Sequence, residues 1–263
     1  LARVLTRETS LADKDRSIAG ESRALQTILH AEAVLTILLL IAGVAYYLAT
    51  TGTALLIAAG IAGFLTIGHW LKVRENVVER RKISAGRRGE IRVSQILERE
   101  LGDEYSIVND FELVRGKRRA QIDHLVVGPN GLFLLETKNY AGLIQGDGEG
   151  AHWIQTKPRG ASASIRVNLR NPVQQIQNHL EVLNGYLRDH RIPWEDICTA
   201  VVSVNRNAVF QIANPTVPIL QARSAPYFIQ GYTSSRRYAQ EEIEALLGLF
   251  LERQSAGGPE RKS

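Results

Sequence analysis

A chain of 263 residues has room for one ordinary globular domain and an appended segment. Hydrophobic residues at 44% and charged residues at 22% exclude a disordered chain, and a single cysteine, Cys198, excludes an intrachain disulfide and a cysteine-rich zinc site. The net charge of +5 suits a polyanionic or membrane-surface partner and says nothing about fold.

Residues 1–32 read as a cytoplasmic N-terminal segment. Ser10 and Asp13 have capping-box spacing, and Ile18, Leu25 and Leu29 keep rough helical spacing, so an amphipathic helix on the inner membrane face and a plain solvated helix are both open. From Ala33 to Leu71 there is no Asp, Glu, Lys or Arg. This run splits into two 18-residue halves around Thr51-Gly52-Thr53, each roughly 27 Å long as a helix and close to the thickness of a bilayer core. The expectation is two transmembrane helices over 33–71. Arg3, Arg7, Lys14, Arg16 and Arg23 precede them and Lys72, Arg74, Arg80, Arg81 and Lys82 follow, which predicts a multi-pass membrane protein with both termini and the following domain in the cytoplasm. Residues 72–85 are then a basic juxtamembrane linker.

Residues 86–254 carry a mixed pattern. Val93, Ile96, Leu97 and Leu101 have helical spacing, and Gly102 stops that helix. "YSIVNDFELV" predicts one or two short strands. "AQIDHLVVG" and "GLFLLETKN" predict a β-hairpin, and "GLIQGDGEGAHWIQ" another strand pair. Asn171 to His190 reads as a helix with Asn171 as its cap and Pro172 in its first turn. "ICTAVVSV" is a buried strand, "TVPIL" and "PYFIQ" are short strands, and Tyr238–Arg253 closes the domain as a helix. Residues 255–263 read as a disordered tail. This order predicts an α/β or α+β fold around one mixed sheet.

The hairpin poses the chemical question. Counting outward from Gly128-Pro129-Asn130-Gly131 pairs Val127 with Leu132, Leu125 with Leu134, and Asp123 with Glu136. Like charges directly opposed in a sheet are destabilising, and a divalent cation would compensate them. Mg²⁺ takes one or two carboxylates, keeps several waters and binds phosphate. Lys138 shares a face with Glu136 and would help an attacking water or stabilise charge on phosphate. Glu90 falls on the apolar face of its helix, three residues before Val93. It is either a third acidic group or a carboxylate at a helix N-terminus. His124 points to the opposite face from Asp123 and reads as structural. Cys198 reads as an inert core residue and Trp153 as packing. Lys117, Arg118 and Arg119 precede the first hairpin strand and read equally as a phosphate grip or a solvated turn. Arg159, Arg166 and Arg170 lie in a polar segment that would close over a substrate.

"GRRGE", "QIDHLVVGPNGLFLLETKN" and "GLIQG" with Trp153 downstream resemble the nuclease-related domain (NERD), which is similar to the PD-(D/E)xK restriction-endonuclease-like superfamily. The resemblance covers about Gly86 to Leu180. It implies a mixed β-sheet flanked by helices, with Asp123, Glu136 and the Thr137 carbonyl as ligands of Mg (or Mn) and Lys138 as the catalytic lysine. Glu90 corresponds to the acidic residue of the first helix. Gln174 and Gln175 are candidates for the supporting glutamine, Gln175 being preferred. The proline of the motif name is absent, since Ile122 precedes Asp123. The implied function is a membrane-anchored, metal-dependent nuclease acting on cytoplasmic DNA or RNA, compatible with a homodimer. The competing class is a non-catalytic, membrane-tethered nucleic-acid-binding or scaffold module.

Overall fold

The computed structural model describes residues 1–5, 27, 31, 34–47, 49, 53–159 and 163–256. The chain divides into two compact units, Leu1–Glu8 with Gly86–Ser263, and Thr9–Ala85.

In the second unit, residues 34–47 form helix α1. Helix α2 runs over Thr53–Glu100 and belongs to this unit as far as Ala85. Large apolar side chains here face outward, with Leu35 58%, Leu39 65% and Phe64 77% exposed. The two expected membrane spans are not borne out. Among the described residues no helix is long and apolar enough to cross a membrane. The expected turn at Thr51–Gly52 and nearly all of the helix expected within 10–31 lie outside the described residues.

Among its described residues the first unit holds ten strands: β1 (Arg3–Leu5), β2 (Ser106–Arg115), β3 (Arg118–Gly128), β4 (Gly131–Lys138), β5 (Gly142–Asp147), β6 (His152–Arg159), β7 (Ala163–Arg170), β8 (Ile197–Ser203), β9 (Ala208–Ala213) and β10 (Ile219–Gln221). Its helices are the last part of α2, α3 (Pro172–Asp189), α4 (Ala225–Gln230) and α5 (Gln240–Ala256). In place of one mixed sheet there are two, ordered β1-β2-β3-β4-β8-β10 and β7-β6-β5-β9. The second sheet arises because the chain turns just beyond Lys138. Gly142, with φ +79, begins β5, which pairs antiparallel with β6 and parallel with β9.

Period-two alternation splits the hairpin between two cores. Leu125, Val127, Leu132 and Leu134 pack with α3 and α5 residues such as Ile176, Leu183 and Phe250. Val126, Phe133 and Leu135 pack with Val93, Leu97, Ala225 and Ile229. The sheet is therefore buried on both faces, which explains the near-continuous apolar runs in its strands. Asn171 caps α3 by accepting from the Val173 N–H at 2.9 Å, as its sequence predicts.

Four readings of the sequence need correction. "PYFIQ" is helix α4, with Pro226 in its first turn. The polar segment of Arg159, Arg166 and Arg170 forms the paired strands β6 and β7. α5 continues to Ala256, into the expected tail. Arg3–Leu5, expected to be part of a separate segment, joins the main sheet parallel to β2, with Arg3 opposite Ser106.

Candidate active site

The β3–β4 register is the one that the turn predicts: Gly128 faces Gly131, Val127 faces Leu132 and Leu125 faces Leu134. Gly131 is required at the turn. Its φ is +137, and a Cβ there would lie 2.9 Å from the Asp196 carbonyl oxygen. The ladder's last pair is His124 with Leu135. One step further, the Thr137 N–H donates to Asp123 Oδ2 at 2.7 Å. The strands thus part where the carboxylates begin, and an aspartate side chain takes a backbone donor that an unbroken ladder would have used.

Glu136 is 2% exposed. Its Oε1 accepts from Lys138 Nζ at 2.6 Å, and its Oε2 lies 3.5 Å from His179 Nδ1. Lys138 Nζ also donates to Gln175 Oε1 at 3.1 Å. Helix α3 therefore presents Gln175 and His179, one turn apart, to the Glu136–Lys138 pair. Gln174 faces elsewhere and donates to the Glu149 carbonyl at 2.9 Å.

Glu90 comes from α2. The preceding Gly89 lets that helix lie close to the end of β4, since a Cβ there would sit 3.3 Å from Val204 and 3.6 Å from Thr137 and Asn139. Burial, then the charges of Asp123 and Asp110, push the Glu90 carboxyl up to about 7, with Arg87 and Lys138 pulling the other way. Burial and Asp123 also raise Glu136, offset in part by Lys138. Burial raises Asp123 against the Thr137 N–H and Lys138. Burial alone would weaken the Lys138 ammonium, but Glu136 and Tyr140 hold it above the ordinary lysine value.

His124 is buried and lies on the other face. Asn109 Nδ2 donates to Ser94 Oγ at 2.8 Å, so Asn109 Oδ1 is left to accept from His124 Nδ1 at 2.6 Å. His124 Nε2 then accepts from Thr137 Oγ1 at 3.0 Å, which fixes a neutral ring with its proton on Nδ1. Burial holds its pKa down at about 3. The chain Ser94–Asn109–His124–Thr137 ties α2, β2, β3 and β4 together directly behind the site.

The structure thus gathers Asp123, Glu136, Lys138 and Gln175, with Glu90 within electrostatic reach. The expected metal ligands are Asp123, Glu136, the Thr137 carbonyl and Glu90. Among the described residues no group of three or more His, Cys, Asp or Glu side chains is placed to hold a metal ion. Both oxygens of Glu136 face cations or a histidine instead. Three nearby residues escaped the sequence reading. His179 was discoverable from its spacing four residues after Gln175. Tyr140 follows Lys138 by two. Asp110 stands between the paired residues Asn109 and Phe111, in line with Asp123, with φ 49. Of the basic run Lys117–Arg119, the two arginines open β3 and are paired: Arg118 meets Glu181 at 2.8 Å and Arg119 meets Glu112 at 3.0 Å.

This geometry lies inside a region with known relatives. Residues 85–204 match the nuclease-related domain, NERD. An uncharacterized protein of Bacillus anthracis is 36% identical over 73 residues, a stretch that covers 28% of this chain and 32% of that protein. The chain thus spans about a third of the length of that relative. No solved structure matches. The NERD match suggests a nuclease-like function, and it contains Glu90, Asp123, Glu136, Lys138, Gln175 and His179.

Proposed function

We propose that the NERD region is a divalent-metal-dependent nuclease that hydrolyses phosphodiester bonds of DNA or RNA. The observation that carries this reading is the pair of buried Glu136 and half-buried Lys138, backed by Gln175, beside an Asp123 that organises the backbone of the same strand. Two carboxylates with room for water suit Mg²⁺ or Mn²⁺, which binds few protein groups. Asp123 and Glu136 would hold the ion, with the Thr137 carbonyl and Glu90 at its margin. The bound ion would supply Lewis-acid stabilisation of the phosphoryl oxygens. Lys138 acts as a donor: its Nζ already gives hydrogen bonds to two acceptors, so it suits negative charge developing on a phosphate. Gln175 fixes the Nζ position, and His179 steadies Glu136.

Membrane attachment through 33–71, with a cytoplasmic nuclease-like domain, is part of the proposal. The charge-free run and the outward-facing Leu35, Leu39 and Phe64 support association with lipid. Retention of the full chain in the membrane pellet after alkaline carbonate washing tests it, and release into the supernatant contradicts it.

A second reading, a non-catalytic nucleic-acid-binding or scaffold module, is favoured by one observation: Lys138 and His179 occupy Glu136, and among the described residues no three-donor cluster forms. The deciding experiment incubates the full chain and Lys138→Ala with labelled single- and double-stranded DNA and RNA, in Mg²⁺, Mn²⁺ or EDTA. Metal-dependent cleavage lost in the variant supports the nuclease. Binding without cleavage in every condition supports the second reading.

A further inference from the structure

Among the described residues the second sheet ends in an open edge. Of the four outer strands, β1 and β10 hold three residues each, β9 holds six, and β7 holds eight. Short edges protect themselves, as do prolines and bulges. β7 has none of these: it contains no proline, and every residue from Ala163 to Arg170 pairs in unbroken register with β6. Among the described residues no strand pairs with its other side. Ile165 and Val167 stand 41% and 40% exposed, on the face that β6 continues with the buried Trp153 and Gln155. Ile165 lies opposite the exposed Lys157, so among the described residues this face runs from its buried end at Trp153 to an uncovered end at Ile165.

We infer that β7 pairs antiparallel with β7 of a second copy of this chain, joining two four-stranded sheets into one. The sequence of the strand selects this partner. A two-fold axis at Val167 sets Val167 against Val167, Ile165 against Leu169, Arg166 against Asn168 and Ser164 against Arg170. Apolar residues then oppose apolar ones on one face, and each arginine faces a neutral polar residue on the other. An axis at Arg166 opposes two arginines, and one at Asn168 sets Arg166 against Arg170, both of which are unfavourable. Odd registers would place arginine against valine and mix the two faces. An axis at Ile165 overlaps only five described residues of β7, where the axis at Val167 overlaps seven. The pairing is isologous and closes on itself as a dimer.

The test uses the full chain in detergent solution, in a Cys198→Ser background. At the axis, two opposed residues have Cα atoms about 4.5–5.5 Å apart, within disulfide reach. Two copies of Ile165 would be separated by four residues of rise, about 13 Å. Val167→Cys should therefore run as an interchain disulfide dimer on non-reducing gels after mild oxidation, and Ile165→Cys should remain monomeric. In sedimentation, the unsubstituted chain should be a dimer and Val167→Lys a monomer with unchanged circular dichroism. A monomeric parent chain overturns the inference, as does a dimer that survives Val167→Lys or equal cross-linking at both cysteines. An edge used by a different extended partner would appear as the first of these outcomes.

Discussion

At the scale of residues, a half-buried carboxyl and a buried imidazole pull stability in opposite directions with pH. Glu90 has a folded pKa of about 7, above its ordinary value of 4.5. The folded state therefore holds this proton more tightly than the unfolded chain does. The stability it contributes is complete below about pH 4.5 and is lost as pH rises to 7. Glu90→Gln removes the penalty. In EDTA it should be more stable than the parent at pH 8 by up to about 3 kcal/mol, and equal to it near pH 4.5, by urea denaturation. A constant difference at all pH values would show that Glu90 stays ionised. His124 behaves oppositely. Its folded pKa is about 3 against an ordinary 6.5, so its contribution is complete above pH 6.5 and disappears as pH falls toward 3. His124→Leu leaves Asn109 Oδ1 and Thr137 Oγ1 without their partner, at a cost of about 1–3 kcal/mol for each buried group. The variant should be markedly less stable at pH 7, and the gap should narrow at pH 4. A gap that stays constant from pH 7 to pH 4 would mean that the ring is not held neutral.

At the scale of elements, the site was legible where the pattern was strong and local. The β3–β4 hairpin declares itself by alternation and by a Gly-Pro-Asn-Gly turn, so Asp123 and Glu136 could be set on facing strands from sequence alone. The turn is also tied to two distant segments of the unit. Asn130 Nδ2 donates to the Ile229 and Tyr232 carbonyls at 2.7 and 3.2 Å, and its Oδ1 accepts from Tyr105 at 3.1 Å. Gly131→Ala should cost about 1–3 kcal/mol, because φ +137 is held only by glycine without strain. A loss under a few tenths would show that the backbone there can move. Short apolar runs were less legible. "PYFIQ" is five residues, too few to separate strand from helix by periodicity, and only its packing beneath Phe133 and Leu135 makes it α4. β7 and β9 were missed because their residues are largely exposed and mixed in character. His179 becomes legible only when the helix face of Gln175 is followed one turn further, to the position that meets Glu136.

At the scale of the whole molecule, the placement of β1 is what no local pattern contains. Three residues at the start of the chain lie parallel to β2 across a gap of about a hundred positions. Parallel pairing needs a long crossover and leaves no hairpin signature, which is why residues 1–32 read as a separate segment. The contact is specific. Ala2 is 5% exposed, its N–H donates to the Glu98 carbonyl at 3.1 Å, and the Arg3 N–H donates to the Tyr105 carbonyl at 3.0 Å. Glu98 lies at the end of α2, the helix that carries Glu90, so β1 bridges that helix and the sheet edge. Removing residues 1–5 should strip this bridge and expose the outer edge of β2. The expected result is faster hydrogen exchange at those β2 amides that point toward β1, with the β4 amides still protected by β3 and β8. Loss of two backbone hydrogen bonds to α2 and Tyr105, with the ladder to β2, should lower stability by about 1–3 kcal/mol. Unchanged exchange along β2 would mean that β1 does not hold its place in solution, and that the sheet begins at β2. If exchange at β2 rises and the Ser94–Asn109–His124–Thr137 chain behind the site loosens with it, the N-terminal strand and the helix that carries Glu90 are held by the same few contacts.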